Sequence, residues 1–575
     1  MGTTNRDFSN QKLKRKFLPL EFKVSQWEAV LPIYQLLESR PIDSVSALES
    51  WLQDWNELDT VINEEAGWRY IRMTCNTGDQ DLLNSYNDFI ENIAPNCESW
   101  SNKFKIRLVD SPYLASLDQD KYFIFIREIK KDIEIFREEN IAIQARIMAK
   151  QQEYAAIMGA LSVTIDGKEL TLQQASVYLK SKDREVRKNT YVLLQDAKQK
   201  VGAQLDELFS SLLEMRHQVA LNAGFANFRE YKFRAMGRFD YTAEDCQQFH
   251  EVIRNTIVPL VDQFNKERKE KLGLDALKPY DQEVELPGDG ELKPFNDSDD
   301  LIKKTIACFS AIRKDYGQVI TVMNQLGHLD LASRKNKAPG GYNYPLGESG
   351  VPFIFMNAVG LHRDMVTMVH EGGHALHSFL TNPLQLDFFK QCPSEVAELA
   401  SMSMELLSME HWESYFDDKD LLNQAKKEQL EKIIRILPWI AQVDHFQHWL
   451  YVNPKHSLAE RKSKWLALAK MYGSVVINYD ELEAYRGIGW QSQLHIFEVP
   501  FYYIEYGFAQ LGALSVWRNY KSNPTMALDN YEKALSLGYT KSIPEIYKAA
   551  NIKFDFSNNY VTELVEFLQS EIKRS

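Results

Sequence analysis

The stretch Arg363-Asp364-Met365-Val366-Thr367-Met368-Val369-His370-Glu371-Gly372-Gly373-His374-Ala375-Leu376 contains the pattern His-Glu-x-x-His. Met365, Met368 and Val369 precede the pattern at helical spacing. Ala375, Leu376, Phe379 and Leu380 continue it, and Asn382-Pro383 ends the run. On a helix, residues four apart lie one turn apart on the same face. His370 and His374 can therefore share one metal ion. Glu371 lies beside them, placed to take a proton from a water at that metal.

A His₂Glu metal set needs one more carboxylate. Downstream, Pro393-Ser394-Glu395-Val396-Ala397-Glu398-Leu399-Ala400-Ser401-Met402-Ser403-Met404-Glu405 reads as a second helix with Ser394 as its N-cap. Glu398 is the candidate third ligand, because Val396, Leu399 and Met402 mark an inward-facing surface. Glu395 and Glu405 lie near the same face and read as carboxylates that orient the histidines. The alternative is that all three are solvated helix charges.

His370-Glu371-Gly372-Gly373-His374-Ala375-Leu376-His377, followed by Ala397-Glu398-Leu399-Ala400-Ser401 and Glu405, resembles the M3 family of zinc metallopeptidases, in its oligoendopeptidase F branch. Two further stretches, Asp183–Tyr191 and Asn222–Phe228, resemble the same family, so the resemblance spans most of the chain. It implies His370, His374 and Glu398 as ligands of one Zn2+ per chain, with Glu371 as general base. It also implies a mostly α fold, with two helical lobes flanking a deep substrate channel and a small β-sheet beside the His-Glu-x-x-His helix. Short unstructured oligopeptides are the implied substrates. Gly372 departs from the family, which often has an aromatic or aliphatic residue there. Two glycines in the helix cost roughly 1 kcal/mol each against alanine, and they read as room for close packing or for substrate.

A chain of 575 residues suffices for several average domains or one large two-lobed enzyme. Long runs without Gly or Pro favour a mostly helical protein. The expected division is 1–200, a mainly helical region forming part of one lobe, and 201–575, the catalytic region. A net charge of −13 argues against a nucleic-acid partner. The five cysteines are scattered and form no Cys-x-x-Cys, which predicts no disulfide framework and no cysteine-type zinc site. Cys392, between the two site helices, reads as a small buried residue. Met1 to Leu20 shows neither an apolar leader nor a myristoylation pattern, and no apolar run is of membrane length. A cytoplasmic protein without a membrane partner is the expectation.

Val24 to Arg107 reads as helical, with starts at Ser25 and at Ser46, the latter paired with Glu49. Residues 116–156 read as one or two very long helices. Ser162–Thr171 reads as a hairpin turning at Asp166-Gly167. Ala338-Pro339-Gly340-Gly341-Tyr342-Asn343-Tyr344-Pro345 is a Gly-rich loop but not a phosphate cradle, since no Gly-Lys-Ser/Thr follows. Val351–Asn357 reads as a strand, and Pro352 places it at an edge. An edge strand can pair with extended peptide backbone, so Gly340, Gly341, Tyr342, Phe353 and Phe355 are the substrate-binding candidates. An ordinary structural strand is the alternative.

The His-x-x-His pair His445/His448 has no carboxylate following at metal spacing and reads as packing or interface in preference to a second metal. His377 reads as a neighbour of the site, not a ligand. Near the C-terminus, His495-Ile496-Phe497-Glu498-Val499-Pro500-Phe501-Tyr502-Tyr503-Ile504-Glu505-Tyr506 resembles the family's His followed by clustered tyrosines. A neutral His and a Tyr hydroxyl can stabilise a tetrahedral oxyanion. His495 and one of Tyr502, Tyr503 and Tyr506 are the candidates, and the choice among the tyrosines stays open. Three functions fit these residues. They are an oligoendopeptidase, a zinc exopeptidase (a carboxypeptidase or dipeptidyl carboxypeptidase) and a non-catalytic peptide binder. The intact His370, Glu371, His374 and Glu398 argue against the last.

Overall fold

Ser44 opens a long helix, Val45–Cys75, by accepting a hydrogen bond from Ala47 N at 3.1 Å. The cap thus lies two residues ahead of the expected Ser46, and the first helix likewise starts at Trp27 after Gln26, not at Ser25. Leu48, Trp51, Leu52, Trp55, Leu58 and Ile62 recur at helical spacing and are buried, each contributing about 1.5–3 kcal/mol. The computed structural model describes residue 8 and residues 12–334, 336–338 and 340–574, the side chains at 152 and 155 excepted. Pro339 and residues 1–7 and 9–11, on which the leader and myristoylation readings rest in part, lie outside the described residues. Helices dominate. Among the described residues the named strands form one hairpin and one three-stranded sheet.

The chain divides into two compact units, neither continuous in sequence. One joins the residues up to Ile133 with Leu292–Ala425 and Ala509–Phe554. The other joins Glu134–Glu291 with Lys426–Phe508 and the residues from Asp555. A single cut after residue 200 does not separate them. The helices Glu138–Gly159 and Gly202–Asn222 flank that point and are tied together. Asn140 Nδ2 donates to Val219 O at 3.0 Å, and Asn222 Nδ2 donates to Asn140 Oδ1 at 2.8 Å. The long-helix expectation holds as Gln119–Ile135 and Glu138–Gly159. The hairpin holds as well, with Asp166 and Gly167 both at positive φ, as a tight two-residue turn requires.

In the first unit, the strand Phe353–Ala358 is the centre of the sheet, not its edge. It runs parallel to Leu329–Ala332 and antiparallel to Tyr342–Tyr344. Pro352 lies one residue before the strand, so it removes no ladder bond and does not demand an edge. Among the described residues, the short strand Tyr342–Tyr344 is bonded on one side only, to Phe353–Ala358. Phe353 and Phe355 are buried with Ile71 and Leu346, and the Tyr342 ring stacks on Phe355 with centroids 4.8 Å apart. These two phenylalanines therefore hold the sheet from within its core.

The motif helix spans His362–Thr381 and ends at Asn382, as expected. Met365, Met368, Val369, Leu376, Phe379 and Leu380 are buried along it. It packs on the glutamate helix, Ser394–Met409, where Pro393 occupies the N-cap position and Ser394 is the first helical residue. Both motif glycines serve packing. A Cβ on Gly373 would lie 2.7 Å from Ser401 Cα and 2.9 Å from Ala400 O, and one on Gly372 would lie 2.6 Å from the Phe309 ring. Among the described residues no helix is long and apolar enough to cross a membrane. All five cysteines are free thiols.

Candidate active site

Four residues per near-turn bring the imidazoles of His370 and His374 together edge to face, with ring centroids 4.9 Å apart. The glutamate helix supplies the third donor. Glu398 Oε2 lies 3.4 Å from His370 Nε2 and 3.9 Å from His374 Nε2. A ligand atom from each of the three lies within 4.8 Å of the others. Tetrahedral zinc with bonds of 2.0–2.2 Å separates its donors by roughly 3.3–3.6 Å, so this set closes on one ion with small side-chain shifts. Nitrogen and carboxylate donors in this number match a catalytic site that keeps one position open.

The donors are aimed by their neighbours. His370 Nδ1 donates to Glu405 Oε1 at 2.7 Å, which leaves the Nε2 lone pair available to a metal. Ser401 Oγ donates to Glu398 Oε2 at 3.1 Å. Burial lowers the His370 pKa, but the bond to Glu405 and the charge of Glu398 more than offset it and raise it to about 9. The carboxylates around this point thus favour a cation there. Glu371 is buried, and burial pushes its carboxyl up to about 7, with His370 opposing and Glu398 adding to the rise. Asn343, on the short edge strand, donates from Nδ2 to Glu371 O at 3.2 Å and ties the sheet to the motif helix.

The two carboxylates expected to orient the histidines are placed differently. Glu405 makes the bond to His370. Glu395 is buried in the first turn of the glutamate helix, where its backbone O accepts from Tyr547 OH at 3.1 Å. Glu405→Gln is expected to weaken zinc binding about 10–100-fold, measured by competition with a chelating indicator. An unchanged affinity would assign Glu405 to packing alone. His377 is buried one turn past His374 and meets Cys392, with Sγ 3.3 Å from Nε2. Burial pulls the His377 pKa down to about 4.

The second unit carries the His495 cluster. His495 lies with its ring centroid 4.8 Å from Tyr503, 5.9 Å from Tyr506 and 6.0 Å from Tyr502. Trp439 Nε1 donates to Gln493 Oε1 at 2.9 Å and fixes that amide, whose Nε2 donates to His495 Nδ1 at 2.7 Å. The His495 proton then resides on Nε2. Burial lowers its pKa to about 4, so the ring is a neutral donor near pH 7. Its protonated form is disfavoured by folding, and the ring charges only as pH falls through that value. An NMR titration is expected to leave the His495 ring resonances unmoved from pH 8 down to about 5, where an unperturbed histidine near 6.5 titrates. A midpoint near 6.5 would contradict the neutral-donor assignment. Phe501, just before the tyrosines, adopts φ +69°, a strain of about 1–3 kcal/mol. It is held there by Gln447, whose Oε1 accepts from Phe501 N at 2.7 Å, and by Arg238, which donates to Phe501 O.

Residues 177–566 match the model of peptidase family M3, and residues 17–136 match that of the peptidase M3 N-terminal domain. This chain belongs to peptidase family M3. The M3 chain is therefore a metallopeptidase that hydrolyses peptide bonds. It is 22% identical over 463 residues to an oligoendopeptidase F homolog of Borreliella burgdorferi, covering 75% of each chain. It is 24% identical to oligopeptidase PepF of Bacillus subtilis, over 59% of this chain and 53% of the relative. The solved structure of PZ peptidase A with an inhibitor aligns over 99% of both chains, with TM-score 0.88 and 25% identity. Oligoendopeptidase-F from Enterococcus faecium is similar in fold alone, with TM-score 0.66 and 14% identity over 95% of this M3 chain and 97% of its own.

Two contributors of this M3 site escaped the sequence. Ser401 sits three residues after Glu398, and that helical spacing was a usable signal. Asn343 gave none, because its bond to Glu371 O depends on the pairing of two distant segments.

Proposed function

We propose that this M3 peptidase is a zinc-dependent endopeptidase that cuts internal bonds of short, unstructured oligopeptides in the cytoplasm. The observation that carries the proposal is the convergence of His370, His374 and Glu398 with the buried Glu371 carboxylate beside them. His370, His374 and Glu398 hold one catalytic zinc. When bound, the ion would polarise the attacking water and the scissile carbonyl. Glu371 takes the proton of that water and returns it to the leaving amine. His495, a neutral donor, acts on the developing oxyanion with one of Tyr502, Tyr503 or Tyr506. The one-sided strand Tyr342–Tyr344, with Gly340 and Gly341 ahead of it, pairs with extended substrate backbone. Phe353 and Phe355 support that strand from the core. The names of the relatives, oligopeptidase and oligoendopeptidase, support the substrate class.

The deciding experiment is cleavage of a doubly blocked, internally quenched peptide, with chelator and then with zinc restored. Chelator-sensitive internal cleavage regained with zinc is the expected result. Cleavage only of peptides with a free C-terminus would replace this reading with an exopeptidase.

A further inference from the structure

A second group of metal-type donors lies in the other unit. Two helices meet there, Ala243–Thr256 and Lys419–Val452, and each presents a pair of donors one turn apart. The pairs are Cys246 with His250, and Asp444 with His448. All four residues are buried, Asp444 and Cys246 completely. Ligand atoms of Cys246, Asp444 and His448 lie within 4.8 Å of one another. His250 Nε2 donates to Asp444 Oδ2 at 2.8 Å, which leaves Oδ1 open, and Oδ1 has no hydrogen-bond partner among the described residues. Neither ring nitrogen of His448 has one, although Nε2 lies 3.2 Å from Asp444 Oδ2. The His448 ring is enclosed by Phe233 and Phe501.

Unpaired polar atoms in an apolar setting are costly, and a buried carboxylate needs a cation. Asp444 has only histidines as ion-pair partners among the described residues. A divalent ion answers both problems. A thiolate and a carboxylate offset its two charges, and imidazole adds a neutral donor. The mixture of sulfur, nitrogen and oxygen is one that zinc accepts.

We propose that Cys246, Asp444 and His448 form a second, structural zinc site, separate from the catalytic set. His250, bonded to Asp444, orients that carboxylate. Binding releases the Cys246 thiol proton to solvent and leaves the site neutral. Burial of every donor excludes substrate, so the ion's role is to pin the two helices together.

The test is made on the full chain, produced with zinc or with cobalt(II) in the growth medium and counted by elemental analysis. The wild type is expected to carry two metals per chain, and Cys246→Ser and His448→Gln one. Cobalt in the wild type should show a near-ultraviolet thiolate charge-transfer band that Cys246→Ser removes and that the catalytic His₂Glu set cannot produce. His374→Ala is expected to retain one metal and the band. A His374→Ala chain free of metal, or a cobalt wild type without the band, overturns the site. Should Cys246→Ser fail to fold, the His374→Ala count and band decide alone.

Discussion

Glu371→Gln is expected to lower kcat/KM by about 10²–10⁴-fold, the contribution of a positioned general base, while the catalytic metal stays bound. The substitution keeps the shape of the side chain and removes only its basicity. Glu371 is buried, and its backbone O accepts from Asn343, so no large rearrangement follows from the exchange. The proposed ligands His370, His374 and Glu398 are untouched, and the metal content should be that of the wild type. Full activity in the glutamine variant would remove Glu371 from the proton transfer. Lost activity together with lost metal would show instead that the carboxylate holds the site together.

The parts of this site that were legible in the sequence are those set by local spacing. His370 and His374 share a face because they are one turn apart. Glu398 stands out because apolar residues flank it on an amphipathic helix, and it lies beside His370 and His374. The centre of the sheet is not legible, because Pro352 precedes a strand that begins only at Phe353 and strand neighbours are fixed by pairing between distant segments. The same limit hid the second donor group. Asp444 and His250 are 194 residues apart in sequence, and each helix alone shows only an ordinary pair. No carboxylate follows His448 at metal spacing, whereas Asp444 lies one turn upstream of it. The two units are also invisible in a linear scan, since each is assembled from three separated segments.

Gly373→Ala is expected to cost both stability and activity, and its neighbour provides the comparison. Alanine gains about 1 kcal/mol over glycine from helix propensity, so only a packing penalty larger than this destabilises the protein. At Gly373 the new Cβ meets backbone, with Ser401 Cα at 2.7 Å and Ala400 O at 2.9 Å, and it also meets Met404 Cβ at 2.9 Å. Overpacking of this kind typically costs about 1–3 kcal/mol, and backbone atoms of a packed helix cannot turn aside. The glutamate helix must move away, and it carries Glu398, Ser401 and Glu405 with it. A displacement near 1 Å at a catalytic site can cost about 10²-fold in rate, and the same shift weakens the metal set. At Gly372 the obstruction is the edge of the Phe309 ring, a side chain with no ligand attached. Gly372→Ala should therefore lower the melting temperature without a matching loss of zinc affinity. Thermal unfolding and zinc competition on both variants separate the two effects. Equal zinc affinity in the Gly373 variant and the wild type would mean that close approach of the two helices does not set the geometry of the metal ligands.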